Sequence, residues 1–188
     1  MGKIIAVVSG KGGTGKTSFT ANTGLALASL GQRVLCMDCD ITLRNLDLAL
    51  GLSDRALMDF SDVLAERCTL EQAVVTHGSY PKLDLLTAPM ADRPLALTVR
   101  QLASLARQIR DTYDWCLIDA PAGLGQGFKM DACMADQVVV VTTTDVSAMR
   151  DAQRTAMELS AFPAERLLQY HVSQMQMHRM VSGHAHMS

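Results

Sequence analysis

The chain has 188 residues, of which 48% are hydrophobic and 19% charged, and its formal net charge is −2. This length and balance predict one soluble globular domain and exclude an intrinsically disordered chain. The small net charge excludes a global field that would attract nucleic acid or an anionic membrane. Because no apolar run approaches the ~20 residues of a membrane-spanning helix and no signal peptide is found, we expect a cytoplasmic protein.

The five cysteines are spread through apolar segments, and their odd number argues against a disulfide framework. We interpret them as reduced, mostly buried thiols. The spacing Cys36-x-x-Cys39 resembles a redox or zinc pair, but the second cysteine pair of a zinc site is missing. The remaining cysteines are Cys68, Cys116 and Cys133.

The first elements of the chain are predicted to form a strand, a helix and a second strand. An apolar run at 3–9 ends at a glycine cluster, and helix formers follow at 17–30. A second short apolar run, 33–37, ends at Asp38 and Asp40. Two strands joined in this way by a crossover helix are expected to be parallel.

The rest of the chain continues the alternation of strand and helix patterns. Helical spacing occurs at 58–66, 70–75, 95–113 and 147–159, and strand patterns occur at 83–87, 115–118 and 137–142. The alternation predicts an α/β fold, a doubly wound and mostly parallel sheet covered on both faces. Ligands bind such sheets beyond the carboxyl ends of the strands, where Gly10, Asp38, Asp40 and Asp119 fall.

The final segment, 169–188, differs from the rest of the chain. It holds four of the five histidines and four of the twelve methionines, without a clear period. The irregular spacing argues against a copper or nickel site. We therefore predict one domain at 1–168 and a divergent tail at 169–188, disordered or foreign, with no strand after Leu168.

Residues 10–17 satisfy the pattern G-x-x-x-x-G-K-[ST], the P-loop of nucleotide-binding proteins. Its glycines let successive backbone amides turn toward phosphate oxygens, and the following helix adds its positive end. Lys16 is expected to reach the outer phosphates and the Thr17 hydroxyl to bind Mg²⁺. The nucleotide-binding residues predicted here are Gly10, Lys11, Gly12, Gly13, Thr14, Gly15, Lys16, Thr17 and Ser18.

The same loop also satisfies the dinucleotide fingerprint G-x-G-x-x-G, with Asp38 at the distance of a ribose-binding acid. Lys16 and Thr17 favour a triphosphate with Mg²⁺, because a dinucleotide site requires neither. Asp119, which closes another apolar strand, is expected to hold the metal through water. A strand-end aspartate is often only a cap or turn former, but three of them facing one phosphate loop favour a shared metal site.

Lys11 is a second lysine in the loop, and K-G-G-x-G-K-T resembles the deviant Walker A loop of the MinD/ParA ATPases, in which the first lysine is the signature. The first switch region of the MinD branch is similar to 38–48, DCDITLRNLDL, and the second switch resembles 119–123, DAPAG. The segment after the next strand resembles 146–152, VSAMRDA. The resemblance extends over about residues 1–168.

The resemblance implies an ATP-dependent homodimer that uses ATP and Mg²⁺, in which Lys11 reaches the phosphates of the partner subunit. The catalytic residues it implies are Lys11, Lys16 and Asp40, and Asp40 would orient or activate the attacking water. Asp38 would lie near Mg²⁺, and Gly123 would offer its amide to the γ-phosphate. The reaction is phosphoryl transfer to water, assisted by positioning and charge neutralisation.

The resemblance also implies a role in placing the cell-division site. Members of the MinD branch recruit a division-inhibitor protein and bind the inner membrane peripherally through a C-terminal amphipathic helix. After Leu168 we find no basic amphipathic helix and no adenine-contacting asparagine at a strand end. We therefore expect a truncated domain without the last strands and C-terminal helices of the family, which does not reach the membrane unaided.

Several alternatives stay open at this point. A flagellar-number regulator or a DNA-partitioning ATPase has the same chemistry, although the lack of a long Lys/Arg cluster disfavours nucleic acid. A nitrogenase-like reductase would need a cluster ligand, and Cys133 lacks the glycine-rich surroundings of one. A truncated, non-catalytic interaction module is the alternative from another class. ATP is not distinguished from GTP, because the base-reading segment is not found.

Overall fold

The computed structural model describes residues 1–90, 98–160 and 170–174. The strands are β1 (Lys3–Val8), β2 (Val34–Asp38), β3 (Val75–Thr76), β4 (Leu83–Leu86), β5 (Trp115–Asp119), β6 (Gln137–Thr142) and β7 (Tyr170–Gln174). The helices are α1 (Lys16–Ser29), α2 (Leu46–Ala49), α3 (Phe60–Leu64), α4 (Leu70–Ala73), α5 (Val99–Thr112), α6 (Gln126–Met134) and α7 (Val146–Ser160).

Within the described residues, the strands form one sheet in the order β3-β4-β2-β5-β1-β6-β7. Every neighbouring pair is parallel except β3 and β4, which are antiparallel. Asp119 of β5 is in register with Asp38 on one side and with Val7 on the other. The predicted α/β fold with a mostly parallel sheet is therefore confirmed, and its central strands end at one edge.

Successive residues of the central strands enter opposite hydrophobic clusters. In β2, Leu35 and Met37 belong to the cluster that packs against α5 and α6, whereas Val34 and Cys36 belong to the cluster under α1. This alternation follows from the two-residue period of a strand. Because both faces are buried, the strand is an uninterrupted apolar run rather than an alternating one.

The two residues of the Cys36-x-x-Cys39 motif lie in different clusters. Cys36 packs under α1, and Cys39 packs with the α5 and α6 side. Both are buried free thiols. Side chains on opposite faces of a sheet do not converge on one ion, so this spacing makes no metal pair.

The helix predicted at 95–113 begins at Val99, and its residues 95–97 lie outside the described part of the chain. Thr98 caps the helix: its hydroxyl accepts from the Gln101 amide, and the Gln101 side chain accepts from the Thr98 amide. This reciprocal pair satisfies amides that the first turn cannot pair internally. The cap therefore fixes a start that apolar spacing alone places too early.

The prediction of no strand after Leu168 is wrong. β7 lies at Tyr170–Gln174 and pairs in parallel with β6, from Val138 opposite Tyr170 to Thr142 opposite Gln174. Its sequence, YHVSQ, has only one aliphatic residue, so hydropathy gives no signal. The open edge of β6 supplies backbone partners irrespective of side chains, which is enough to add a strand.

Two helices were also absent from the sequence prediction, α2 and α6. α2 has four residues, too few for a helical period to show. α6 begins at Gln126, three residues after Gly123 of the predicted second switch. In the described part of the chain, no helix combines the length and apolarity required to cross a membrane.

Gly24 allows α1 to lie directly on β2. A Cβ added at this position would lie 2.5 Å from the Cys36 sulfur, which is closer than real Cβ contacts occur. Cys36 is fully buried and has no room to retreat. The position of α1, the helix that follows the loop at 10–17, therefore depends on the absence of a Cβ at residue 24.

We expect Gly24→Ala to lower the free energy of unfolding by about 1–3 kcal/mol, because overpacking outweighs the gain in helix propensity of about 1 kcal/mol. Urea unfolding followed by circular dichroism measures the change. Gly78→Ala is the matched control, since its added Cβ has nothing within 4 Å. Adding Cys36→Ala to Gly24→Ala should recover part of the loss; no recovery would show that the contact with the sulfur is not the cause.

Candidate functional site

The loop at 10–17 joins β1 to α1 at the carboxyl edge of the sheet. Gly13 and Gly15 have φ angles of +77° and +93°, which side-chain-bearing residues rarely adopt. Gly15 is the N-cap residue of α1 and has no side chain with which to cap it. The first amides of α1 therefore point toward a space that an anion fits.

Gly10 lies in close contact with the backbone of α7. A Cβ at Gly10 would be 2.6 Å from the backbone carbonyl of Asp151. The beginning of the loop is thus held against α7 as well as by β1. This contact explains the need for glycine at the first position of the motif in this chain.

Thr17 and Asp119 form the centre of the site. The Thr17 hydroxyl donates to Asp119 Oδ2 at 2.6 Å, and Asp119 is only 2% exposed. Burial raises the pKa of Asp119, against the hydrogen bond from Thr17 and the charge of Lys16, which lower it. Lys16 is itself 8% exposed, so the lysine, the hydroxyl and the carboxylate share one buried region.

The oxygen donors of this region fit Mg²⁺. Asp119 Oδ1 is buried and has no hydrogen-bond partner within the described structure. A hydroxyl and carboxylates are the ligands that Mg²⁺ prefers, together with phosphate oxygens and water. The described residues hold no cluster of three or more His, Cys, Asp or Glu side chains arranged around a metal. The Thr17 hydroxyl and the Asp119 carboxylate are thus the described oxygen donors that fit such an ion.

Asp38 organises the segment that follows β2. Its carboxylate accepts from the Asp40 amide at 2.9 Å and from the Leu46 amide at 3.2 Å. Burial raises the pKa of Asp38 to about 7, although both backbone hydrogen bonds oppose the shift. Asp38 therefore ties the predicted first switch to the start of α2.

Asp40, predicted to orient water, is engaged within its own loop. Its Oδ1 accepts from the Thr42 amide at 3.0 Å and from the Leu43 amide at 3.1 Å. These contacts close a tight turn, and Arg44 at its end has a φ of +45°. In this arrangement one oxygen of Asp40 serves as a turn former.

Lys11 is bound at the start of α7. Its Nζ donates to Ser147 Oγ at 3.1 Å, and Ser147 Oγ donates to Asp145 Oδ1 at 2.6 Å. The Ser147 hydrogen bond is the largest of the effects that lower the pKa of Asp145, and the charge of Lys11 adds to it. The structure therefore brings Lys16 to Thr17 and Asp119, and holds Lys11 against Ser147 instead.

Gly123 is held by Ser9, the residue that precedes the loop at 10–17. Its amide donates to the Ser9 carbonyl at 3.1 Å, and its φ is +89°. Ser9 is buried, and its hydroxyl donates to the Lys11 carbonyl at 2.8 Å. Ser9 thus connects the second switch to the loop, a role that no sequence pattern had indicated.

The remaining predicted binding residues line the loop. Gly12 and Gly13 face open space, where an added Cβ would touch nothing within 4 Å. The buried hydroxyl of Thr14 has no partner among the described residues. Ser18 is exposed, and its carbonyl accepts from the Asn22 side chain. These contacts leave the inner surface of the loop available to a ligand.

Asp131 is a buried acid that the sequence analysis missed. It lies on α6 at 0% exposure, and within the described structure neither carboxyl oxygen accepts from an N–H or O–H group. Burial raises its pKa to about 8, a hydrogen bond with the Cys39 thiol lowers it, and the carboxylates of Asp119 and Asp38 raise it further. The sequence analysis predicted no helix in this segment, and a single polar side chain on a buried helix face leaves no periodic signal.

Comparison with known proteins places these features in a family. An AAA domain family matches residues 2–165. A septum site-determining MinD protein of Synechocystis sp. is 46% identical over 154 residues, and one of Bacillus subtilis is 43% identical over 155. Each alignment covers 82% of this chain and 58% of the relative, so the chain spans about 58% of the length of these relatives.

Solved structures give the same result. The MinD cell division protein of Aquifex aeolicus superimposes with a TM-score of 0.79 at 36% identity, covering 92% of this chain and 68% of that one. The MinC:MinD complex of that organism superimposes with a TM-score of 0.79 at 37% identity, covering 90% of this chain and 68% of that one. MinD complexed with Mg-ADP from Pyrococcus horikoshii superimposes with a TM-score of 0.74 at 30% identity, covering 90% of this chain and 69% of that one.

Asp131 predicts a pH dependence of folding stability. The folded state keeps its proton up to pH about 8, whereas an unfolded aspartate loses it near pH 4. The free energy of unfolding should therefore fall as the pH rises between these values. Asp131→Asn does not ionise, so we expect it to match the parent near pH 4 and to exceed it at pH 8.5 by about 2 kcal/mol or more.

Urea unfolding of the nucleotide-free protein at pH 4.5, 6.5 and 8.5 measures this difference. Asp111→Asn removes an exposed carboxylate of the neighbouring helix α5 and serves as the charge-matched control. A constant offset between Asp131→Asn and the parent over the whole range would contradict the prediction.

Proposed function

This chain belongs to the MinD-like branch of the MinD/ParA family of P-loop ATPases, and from this premise we propose that it is an ATP-hydrolysing switch in the placement of the cell-division site. The observation that carries the proposal is the different environment of its two loop lysines. Lys16 is buried beside Thr17 and Asp119, whereas Lys11 is exposed and bound to Ser147. One cation is thus committed to the site of its own chain, and the other is available to a second chain.

We propose that ATP binds with its phosphates on the loop at 10–17 and on the first amides of α1. Lys16 neutralises the outer phosphates, and the Thr17 hydroxyl binds Mg²⁺, with Asp119 and Asp38 acting through water. The ion supplies charge neutralisation at the phosphates. The hydrogen bond between Thr17 and Asp119 orients the hydroxyl for this role before any ligand arrives. The ATPase domain is proposed to extend over the predicted 1–168 and to include β7, which continues the same sheet.

The groups proposed to act on the γ-phosphate all have internal partners in this structure. Lys11 is bound to Ser147, the Asp40 carboxylate to the Thr42 and Leu43 amides, and the Gly123 amide to the Ser9 carbonyl. Lys11 and the Gly123 amide must exchange these partners before they can reach a nucleotide, whereas Asp40 is engaged through one carboxyl oxygen only. We infer that this arrangement is a resting state. The γ-phosphate of ATP, which ADP lacks, drives the exchange of partners.

Ser9 makes two of these exchanges interdependent. Its hydroxyl fixes the Lys11 carbonyl, and its own carbonyl holds the Gly123 amide. Movement of Gly123 toward the γ-phosphate therefore acts on the segment that carries Lys11. Hydrolysis in the dimer would follow when Asp40 orients a water, Gly123 holds the γ-phosphate and Lys11 of the partner subunit stabilises the developing charge.

The cellular part of the proposal follows the relatives. The Aquifex aeolicus structure named as a MinC:MinD complex supports a division-inhibitor protein as partner. We propose a cytoplasmic ATP-dependent homodimer, with peripheral inner-membrane contact as a property of the family. Septum-site relatives at 46% and 43% identity favour this function over flagellar-number control or DNA partitioning. Nucleic acid is not a proposed partner.

We expect Lys16→Ala to lower the affinity for ATP by about 30-fold or more, because it removes a buried charge partner of the phosphates. Isothermal titration calorimetry with Mg²⁺ and a non-hydrolysable ATP analogue measures the change. Lys3→Ala, an exposed lysine at the opposite end of β1, is the control and should bind like the parent. Equal affinity of Lys16→Ala and Lys3→Ala would overturn the proposed site.

We expect Lys11→Ala to bind the analogue within about 3-fold of the parent, since an exposed charge contributes little in a monomer. The variant should lose nucleotide-dependent dimerisation, and its turnover should fall by roughly 10³ or more, the effect of removing a cation supplied in trans. Sedimentation velocity with and without the analogue, together with phosphate release, measures both. A Lys11→Ala dimer of normal affinity would exclude the role in trans.

A further inference from the structure

Helix α6 carries a carboxyl group on its buried face. Phe128, Ala132 and Met134 of this helix pack into the larger hydrophobic cluster at exposures of 1–2%. Asp131 lies on the same helix at 0% exposure. A helix normally presents only apolar side chains to such a core, so Asp131 opposes the packing of its own helix.

The surroundings of Asp131 do not compensate for its burial. The groups that face it are the Cys39 thiol, at the start of the first switch, and the carboxylates of Asp38 and Asp119 at the ends of β2 and β5. A thiol is a weak hydrogen-bond donor, and both carboxylates are acidic like Asp131 itself. Within the described structure no N–H or O–H group donates to either oxygen of Asp131, which leaves it the weak Cys39 thiol as a donor. A buried polar group left in this way destabilises the arrangement that buries it.

The start of α6 has no side-chain cap and lies close in sequence to the predicted second switch. Gly125 at the N-cap position has no side chain to cap the helix, which begins at Gln126, three residues after Gly123. Gly123 is attached to the loop by the single backbone hydrogen bond to Ser9 described above. Displacement of Gly123 toward a γ-phosphate is therefore transmitted to α6 over a very short segment.

We propose that Asp131 is a positioning residue of the second switch: its buried and poorly paired carboxyl destabilises the resting position of α6 and so favours the displaced position that accompanies ATP. This inference rests on the proposed function. Displacement of α6 would free Asp131 from its apolar contacts and give it access to water. Because ADP lacks the phosphate that engages Gly123, it gains nothing from this displacement.

Asp131 would thereby contribute to the preference of the site for ATP over ADP. A ligand shifts a two-state equilibrium only as far as its affinities for the two states differ. When the resting position is less stable, ATP needs less of its binding free energy to draw Gly123 away from Ser9. Removal of the Asp131 carboxyl should therefore weaken the preference for ATP and leave the affinity for ADP almost unchanged.

The first measurement is amide hydrogen exchange of α6 in the nucleotide-free full chain at pH 7. In Asp131→Ala the amides of α6 are expected to exchange at least ~10-fold more slowly than in the parent, while those of β1 change less. Asp131→Leu, which has the branching of aspartate without its polar atoms, is the second variant in case the smaller side chain perturbs folding. Asp111→Ala on the exposed surface of α5 should leave α6 unchanged.

The second measurement is the ratio of the affinities for a non-hydrolysable ATP analogue and for ADP, by calorimetry with Mg²⁺. The variants should lower this ratio by about 10-fold, through the ATP analogue. A role in stability alone would leave the ratio unchanged, and that result, or unaltered exchange of α6, would overturn the inference. Failure of the parent to bind either nucleotide would instead overturn the proposed function, and the exchange of α6 would still decide whether Asp131 destabilises its helix.

Discussion

The site depends on the alignment of the central parallel strands. β2, β5 and β1 end at the same edge, and the register places Asp38 and Asp119 side by side, with the loop after β1 adjoining them. Backbone hydrogen bonds of the parallel ladder fix this register. The hydrogen bond from Thr17 to Asp119 exists only because the helix after β1 returns over the neighbouring strand. Every proposed contact with phosphate or metal is made by residues at that edge.

The helix contacts around the sheet maintain this alignment. Gly24 lets α1 approach β2, and Gly10 lets the loop approach α7. In both places the contact is too close for a Cβ, so a glycine is required by packing and not by a positive φ. The loop is therefore supported from both sides, as a preorganised phosphate site requires.

A network of internal hydrogen bonds explains how such a site can act as a switch. Ser9 connects the loop with Gly123, Ser147 holds Lys11, and Asp38 ties the first switch to α2. Each of these bonds is individually modest, so a triphosphate can replace them. Asp131 is proposed to act against these hydrogen bonds, because its buried carboxyl destabilises the resting position that they maintain. The balance between these contributions determines how readily the proposed switch responds to the γ-phosphate.

The sequence by itself determined the fold class, the order of most strands and helices, and the loop at 10–17 with its two lysines. These features are local: strand and helix patterns depend on neighbours along the chain, and a phosphate loop is defined by residue types at fixed spacing. Only the tertiary structure decided that Lys11 contacts Ser147, that Ser9 holds Gly123 and that Asp131 is buried beside Cys39. Such contacts join residues that are far apart in the sequence and leave no periodic pattern. β7 belongs with them, because its place is set by the free backbone groups of β6 and not by its own side chains.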